Sequence, residues 1–351
     1  MIDHKCFSKE WILNLRTKYP KTDPLLLEKT IHAFELLGLL QTSDESFIFK
    51  GGTALMLHLP ELPRLSIDID VIGRFSDDVL KKMTNRSVFT RLESDVRSDS
   101  VIPKKHYYFS FHSNILNKED SILLDILEAD NPYLNVVTKP IYLPLFEISQ
   151  EQFVHLPTPE ELLGDKLTAF APNTIGILYD CRKSMDIIKQ LFDIASLFDH
   201  VSNFQVIKSA NQRIFQLQNS FYGNKHSLSQ VLDDTIQTAF LICQLDLRKS
   251  IENTHTQELR RGIRQIRSHL LSARFTLPEV KIAASKSAFI AVALKLNIKD
   301  LDPFAMRFEN TKMTDLREGQ ITGHFGVPDR LRLTLPEAYY YWHLISQWEN
   351  E

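Results

Sequence analysis

Residues Arg64-Leu65-Ser66-Ile67-Asp68-Ile69-Asp70-Val71 alternate polar and apolar without a break. Side chains two apart on a β-strand point the same way. Read as a strand over 64–72, the segment buries Leu65, Ile67, Ile69 and Val71 and turns Arg64, Ser66, Asp68 and Asp70 to the other side. A chain with such a strand must build a sheet that holds two carboxylates about 7 Å apart opposite its core. Residues 105–112 and 120–128 are two further strand candidates, and Phe47–Phe49 is a short apolar run. Together they suggest a mixed sheet, with 77–93 partly helical. Helical periodicity marks 9–20 and 23–40, and a helix-like stretch runs from Thr53 to Leu59.

After Pro144 the pattern changes. Thr158, Pro159 and Glu161 read as a helix start. Residues 183–199, 205–220, 226–248, 256–272 and 284–296 all carry helical spacing, and no comparable strand pattern follows residue 150. The final aromatic helix, Ala338–Trp348, reads as packing material. The predicted class is α+β: a mixed-sheet lobe with flanking helices over 1–150, and a helical lobe over 151–351 that completes an active-site cleft.

Two like charges as close as Asp68 and Asp70 repel, and a shared cation reconciles them. Carboxylate oxygens are hard ligands, which favours Mg²⁺ or Mn²⁺. Just upstream, Gly51 and Gly52 lack a Cβ, so their backbone N–H groups can approach an anion, and Thr53 adds a hydroxyl. A phosphate cradle beside a carboxylate pair is equipment for phosphoryl transfer. Alone, a Gly-Gly is more often a plain turn, and an Asp-x-Asp is common on exposed strand faces.

Bulk properties exclude little more. A net charge of −3, with 43% hydrophobic and 24% charged residues, is ordinary for a globular protein. It argues against a surface that binds nucleic acid everywhere, while a local basic patch stays open. Cys6, Cys181 and Cys243 are far apart and odd in number, so neither a disulfide framework nor a zinc site is expected. With no apolar signal core and no run of membrane-spanning length, the expected location is the cytoplasm, away from membranes.

GGTAL followed by RLSIDIDV resembles the signature of the polymerase-beta-like nucleotidyltransferase superfamily. More narrowly it resembles the AbiEii/AbiGii toxin family, which includes the mycobacterial MenT toxins. Downstream motifs of that family are similar to Gly164-Asp165-Lys166-Leu167-Thr168-Ala169, to Arg182-Lys183, and to Lys189-Gln190-Leu191-Phe192-Asp193-Ile194. The family often has Lys-Asp-x-Tyr-Asp at the last of these; here Gln190 and Phe192 replace the first acid and the tyrosine, and Asp193 is kept. The resemblance covers about residues 30–200, and the C-terminal 150 or so residues carry no matching motif.

The resemblance implies transfer of a nucleoside monophosphate from an NTP to an acceptor, the 3′ end of a tRNA. The biological role would be a growth-arresting or phage-defence toxin held by a separate antitoxin protein. Asp68 and Asp70 would hold the metal. Asp125, a charge inside the apolar run Leu123–Leu127, is the candidate third acid; a structural cation or an exposed strand end would account for it otherwise. Lys166 would neutralise the triphosphate. Lys50, Gly51, Gly52, Thr53, Arg64, Ser66 and Arg182 are the candidate nucleotide- and phosphate-binding positions. Asp193 either makes a surface i,i+4 pair with Lys189 or orients Lys166 or Arg182. Arg260, Arg264 and Arg267 share a helical face that suits an RNA backbone or a solvated, salt-bridged surface. Two other readings stand beside this one: transfer to a small molecule, and a non-catalytic nucleotide-binding module that works through a partner.

Overall fold

The structure is a computed structural model that describes all residues except 86, 96–101, 180, 248–250, 300, 310, 312–315, 317–318 and 351, and of residue 350 only the backbone. Contacts divide it into two compact units: Met1–Thr158 with Ser268–Ala273, and Pro159–Arg267 with Arg274–Glu351.

In the first unit, helices α1 (Lys9–Lys18) and α2 (Pro24–Leu40) precede strand β1 (Phe47–Lys50) and the short helix α3 (Gly51–Leu55). Then come β2 (Ile69–Gly73), α4 (Asp77–Thr84), β3 (Phe89–Asp95), β4 (Lys104–Ser113) and β5 (Lys118–Leu127). The five strands form one sheet in the order β1-β2-β5-β4-β3. β2 runs parallel to β5 and the other pairs are antiparallel, so the sheet is mixed. Alternation decides which face is buried. Phe49, Val71, Leu124, Ile126, Tyr107 and Phe109 point into one core with Ile31, Phe34 and Leu37 of α2. Asp23 caps α2 by accepting from the Leu25 N–H, and Pro24 fits its first turn.

The strand expected over 64–72 is shorter than its alternation. Only Ile69 onward joins the ladder, because the residues before it bond elsewhere. The Leu65 N–H donates to the carbonyl of His269 at 2.7 Å, and Arg64 bridges Leu270. Asp68 therefore precedes β2, while Asp70 lies on it. The segment read as partly helical holds both α4 and the strand β3. A separate two-stranded ribbon, β6 (Val136–Pro140) with β7 (Phe153–Pro157), carries strand structure past residue 150, contrary to expectation.

The second unit is helical: α5 (Pro159–Ala169), α6 (Ser184–Phe198), α7 (Phe204–Phe221), α8 (Leu228–Gln244), α9 (Thr254–Gln265), α10 (Leu277–Lys295) and α11 (Pro336–Asn350). The helix expected over 226–248 ends at Gln244, and residue 248 lies outside the described residues. The helix expected over 256–272 ends at Gln265 and passes into a 3₁₀ turn. α10 starts earlier than expected, behind a capping box of Thr276 and Glu279 with proline in its first turn. The aromatic run of α11 is core: Tyr339, Tyr341 and Trp342 are fully buried. Among the described residues no helix is long and apolar enough to cross a membrane.

Candidate active site

One row of the sheet gathers the charge. Reading across it, Lys50 of β1 is opposite Asp70 of β2, Asp70 is opposite Asp125 of β5, and Asp125 is opposite His106 of β4. Residues opposite each other in a ladder project from the same face. Their neighbours in sequence, Phe49, Val71, Ile126 and Tyr107, turn to the other face and into the core. The apolar partners thus fix the row's direction, since slipping one strand by a residue would bury its charge.

Asp70 and Asp125 are direct cross-strand neighbours with the same sign. Burial, then Asp125, then Asp68 push the Asp70 carboxyl up to about 6, against the opposing pull of Lys50 and Lys104. Asp125 has a cationic neighbour on one side: Lys104 Nζ is 3.2 Å from its Oδ2. On the other, His106 Nδ1 stands 3.6 Å from Oδ1, beyond hydrogen-bond range. Oδ1 of Asp125 is buried and has no hydrogen-bond partner. Such an atom is expensive unless a further group satisfies it. A cation shared with Asp70 would do so, and the donor set is the hard-oxygen kind that suits Mg²⁺. The carboxylates alone are not a finished cage: among the described residues no group of three or more His, Cys, Asp or Glu side chains is arranged to hold a metal.

The glycine corner abuts this row. Gly51 has φ +81, where a side chain is disfavoured, and a Cβ there would overlap the Asp70 carboxylate. A Cβ on Gly52 would come within 2.5 Å of an Arg64 guanidinium nitrogen and 3.2 Å of Ser66 Oγ. The Thr53 hydroxyl is turned inward, donating to the carbonyl of Asp68 at 2.5 Å. It fixes the approach of Asp68 to β2. Arg64, only 3% exposed, donates to the Leu65 carbonyl at 3.1 Å. Lys50, Gly51, Gly52, Thr53, Arg64, Ser66, Asp68, Asp70 and Asp125 therefore all fall in one neighbourhood of the first unit. Lys104 and His106 belong there too and went unread, because only the register between β4 and β5 brings them to Asp125.

The other expected positions lie in the second unit. Lys166 of α5 and Asp193 of α6 form a buried ion pair with Nζ and Oδ2 2.9 Å apart, their side chains 6% and 0% exposed. Asp193 is therefore not on the surface, and Lys189 lies 3.5 Å from Asp186. Arg182 is exposed, with φ +58, just ahead of α6. Of the arginine stripe, Arg260 is held by Asp246 at 2.6 Å and Glu252 at 2.9 Å, while Arg264 and Arg267 are exposed.

Among solved structures the chain is similar to JHP933 from Helicobacter pylori, at 14% identity over 78% of this chain and 94% of that one, with a TM-score of 0.43. It is also similar to an antigenic nucleotidyltransferase-like protein from Paracoccidioides brasiliensis, at 15% identity over 56% of this chain and 91% of that one, with a TM-score of 0.35. No curated protein matches. The sequence model described as nucleotidyl transferase AbiEii toxin, Type IV TA system, matches residues 36–286, well over half of the chain and inclusive of every residue of the acid row. The chain therefore belongs to the AbiEii family of nucleotidyltransferase toxins.

Proposed function

We propose that this nucleotidyltransferase moves a nucleoside monophosphate from an NTP onto an RNA acceptor, the 3′ end of a tRNA, in a Mg²⁺-dependent reaction. We propose further that it acts as a toxin, in phage defence or growth arrest in the cytoplasm, restrained by a cognate antitoxin. The observation that carries the chemistry is the cross-strand pair Asp70–Asp125 beside the Gly51 corner, with Oδ1 of Asp125 buried and unpaired.

Asp68, Asp70 and Asp125 would hold Mg²⁺, with Mn²⁺ the natural substitute. Bound there, the ion supplies charge that neutralises the triphosphate and polarises its α-phosphate. The missing Cβ atoms of Gly51 and Gly52 let the Asp70 carboxylate and the Arg64 guanidinium close on this corner, and its backbone N–H groups and Arg64 are the groups that would meet the phosphates. Lys50 and Lys104, on the strands flanking the acids, add positive charge to that side of the sheet. Asp125 orients the acceptor hydroxyl and takes its proton as the oxygen attacks the α-phosphorus. The bond to the bridging oxygen breaks, and pyrophosphate leaves with the electron pair. Adjacency of Asp125 and Asp70 supports turnover over a binding-only role.

The test incubates the protein with each labelled NTP, Mg²⁺ and total RNA, beside Asp68→Ala. Label on RNA that requires Asp68 is the expected result. Label on a small molecule instead would move the acceptor class, and bound NTP without transfer would overturn the enzymatic reading.

A further inference from the structure

Apart from the acid row, the second unit holds a cavity of about 340 Å³ whose walls are rings and amides. That volume is at the small end of the range for ligand sites. Tyr179 and His255 stack on one side of it, 4.1 Å apart and 7° from parallel. Tyr179 is 7% exposed and His255 only partly covered, so His255 is the outer layer of the stack. Phe240 and His324 stand elsewhere on the lining, with ring centroids 5.7 Å apart.

Two polar groups at this cavity are left over from the fold. The Tyr179 hydroxyl is buried beside the Thr238 hydroxyl, which itself bonds Asp234, and makes no hydrogen bond of normal geometry. The side-chain amide of Gln244, a residue 8% exposed, makes no hydrogen bond with any described residue. The nearby carboxylate does not claim them: Asp234 accepts from the Asn173 N–H and Nδ2 at 2.7 Å each, and from the hydroxyls of Thr174 at 2.9 Å and Thr238 at 3.3 Å. A buried phenol and an amide that opens on the cavity suit a ligand with both donors and acceptors. A stacked ring platform asks for a flat one. Nucleobases meet both demands, and proteins commonly read single-stranded RNA by stacking splayed bases on aromatic rings while amides contact their edges.

We propose that this cavity binds one unstacked nucleobase of the acceptor RNA, stacked on His255 and read at its edge by Gln244 and the Tyr179 hydroxyl. The proposal rests on the reading of an RNA acceptor and adds a recognition site for it, separate from the carboxylates.

The test uses the full chain. Fluorescence anisotropy measures its affinity for a short labelled single-stranded oligoribonucleotide in wild type, His255→Ala, Gln244→Leu and Tyr179→Phe, with thermal unfolding as the check on folding. Loss of the stacking ring should weaken RNA about 5- to 100-fold. Gln244→Leu, which keeps the wall but removes the amide, should alter the order of preference among A-, C- and U-rich oligomers. Binding of labelled NTP should not change. Unaltered RNA affinity in folded His255→Ala and Gln244→Leu overturns the proposal, as does a wild type that binds no oligomer. A loss confined to free NTP or nucleoside monophosphate binding overturns it too, because the base then belongs to a mononucleotide. If wild type labels no RNA in the transfer assay yet His255→Ala still weakens the oligomer, the transfer reading fails and the base pocket stands.

Discussion

Two aspartate settings in this protein are opposites. Asp193 lies fully buried in the helical unit, 2.9 Å from the ammonium of Lys166. Asp70 lies in the sheet unit with another aspartate across the ladder, and its carboxyl is pushed up to about 6. Burial alone does not separate them. The lysine matches Asp193 with a charge of opposite sign, whereas at Asp70 burial and the like charge of Asp125 outweigh the pull of Lys50 from the other side of the ladder. A buried ion pair resists being broken, because removing one partner strands the other. A like-charged pair is costly until something arrives to share it, and such sites are where function is found.

The largest expected effect is on the unmatched side. Asp70→Asn should cut nucleotide transfer by about four orders of magnitude. Removing a like charge should also leave the unfolding midpoint equal to or above wild type. A large drop in that midpoint would mean the acid row holds the fold together, and the contrast would break.

On the matched side, Lys166→Met should cost about 3–5 kcal/mol in urea unfolding of the full chain, with Lys166→Met/Asp193→Leu recovering most of it. If stability instead stays put while transfer disappears, Lys166 has the phosphate role expected from the sequence.

His32 tests the same rule with a base. It is 3% exposed, stacked on Phe111 at 3.7 Å, and its Nδ1–H donates to the Glu28 carbonyl at 2.8 Å. Burial lowers its pKa from 6.5 to about 4. The folded chain therefore resists a proton that the unfolded chain accepts. Stability from this residue is complete above pH 6.5, falls as the pH drops toward 4, and is then level. The loss amounts to about 3 kcal/mol. His32→Gln should flatten that part of the stability–pH curve; an unchanged slope would show that the ring gains a compensating charge.

The smallest expected effect is Gly51→Ala. Left-handed backbone there costs a Cβ roughly 1–2 kcal/mol, and the methyl also collides with the Asp70 carboxylate. Transfer should fall further than stability does. Equal losses would reduce the corner to a fold element.

The sequence made the acid strand, the glycine pair and the helical second half legible because each is a local pattern. Alternation misled where another segment intervened: Arg64–Asp68 keep the strand-like spacing, yet their edge is taken by residues near His269, so no ladder forms there. β3 was obscured because it is an edge strand with exposed Thr90, Arg91, Glu93 and Ser94, polar where an inner strand would be apolar. β6 and β7 are five residues each and end in proline, too short for periodicity to speak. The neighbours of Asp125, Lys104 and His106, depend on register between strands, which single-strand spacing does not encode. The Lys166–Asp193 pair joins two helices, and the sequence offered it only as an alternative to a pair of Asp193 with Lys189, because packing between helices decides which lysine the acid meets.

Residues 268–273 give the sheet unit a late delivery. They arrive after most of the helical unit in chain order, and they prop the Leu62–Leu65 stretch: Leu271 N–H donates to the Pro63 carbonyl at 3.0 Å, and the Ser272 hydroxyl to the Leu62 carbonyl at 2.8 Å. A ribosome that has finished residues 1–158 has thus made every carboxylate of the row but not the brace beneath its lead-in. A message cut short before codon 268 yields a chain whose acid corner is unsupported. For a toxin, that arrangement ties a braced acid corner to synthesis that has passed well into the helical unit.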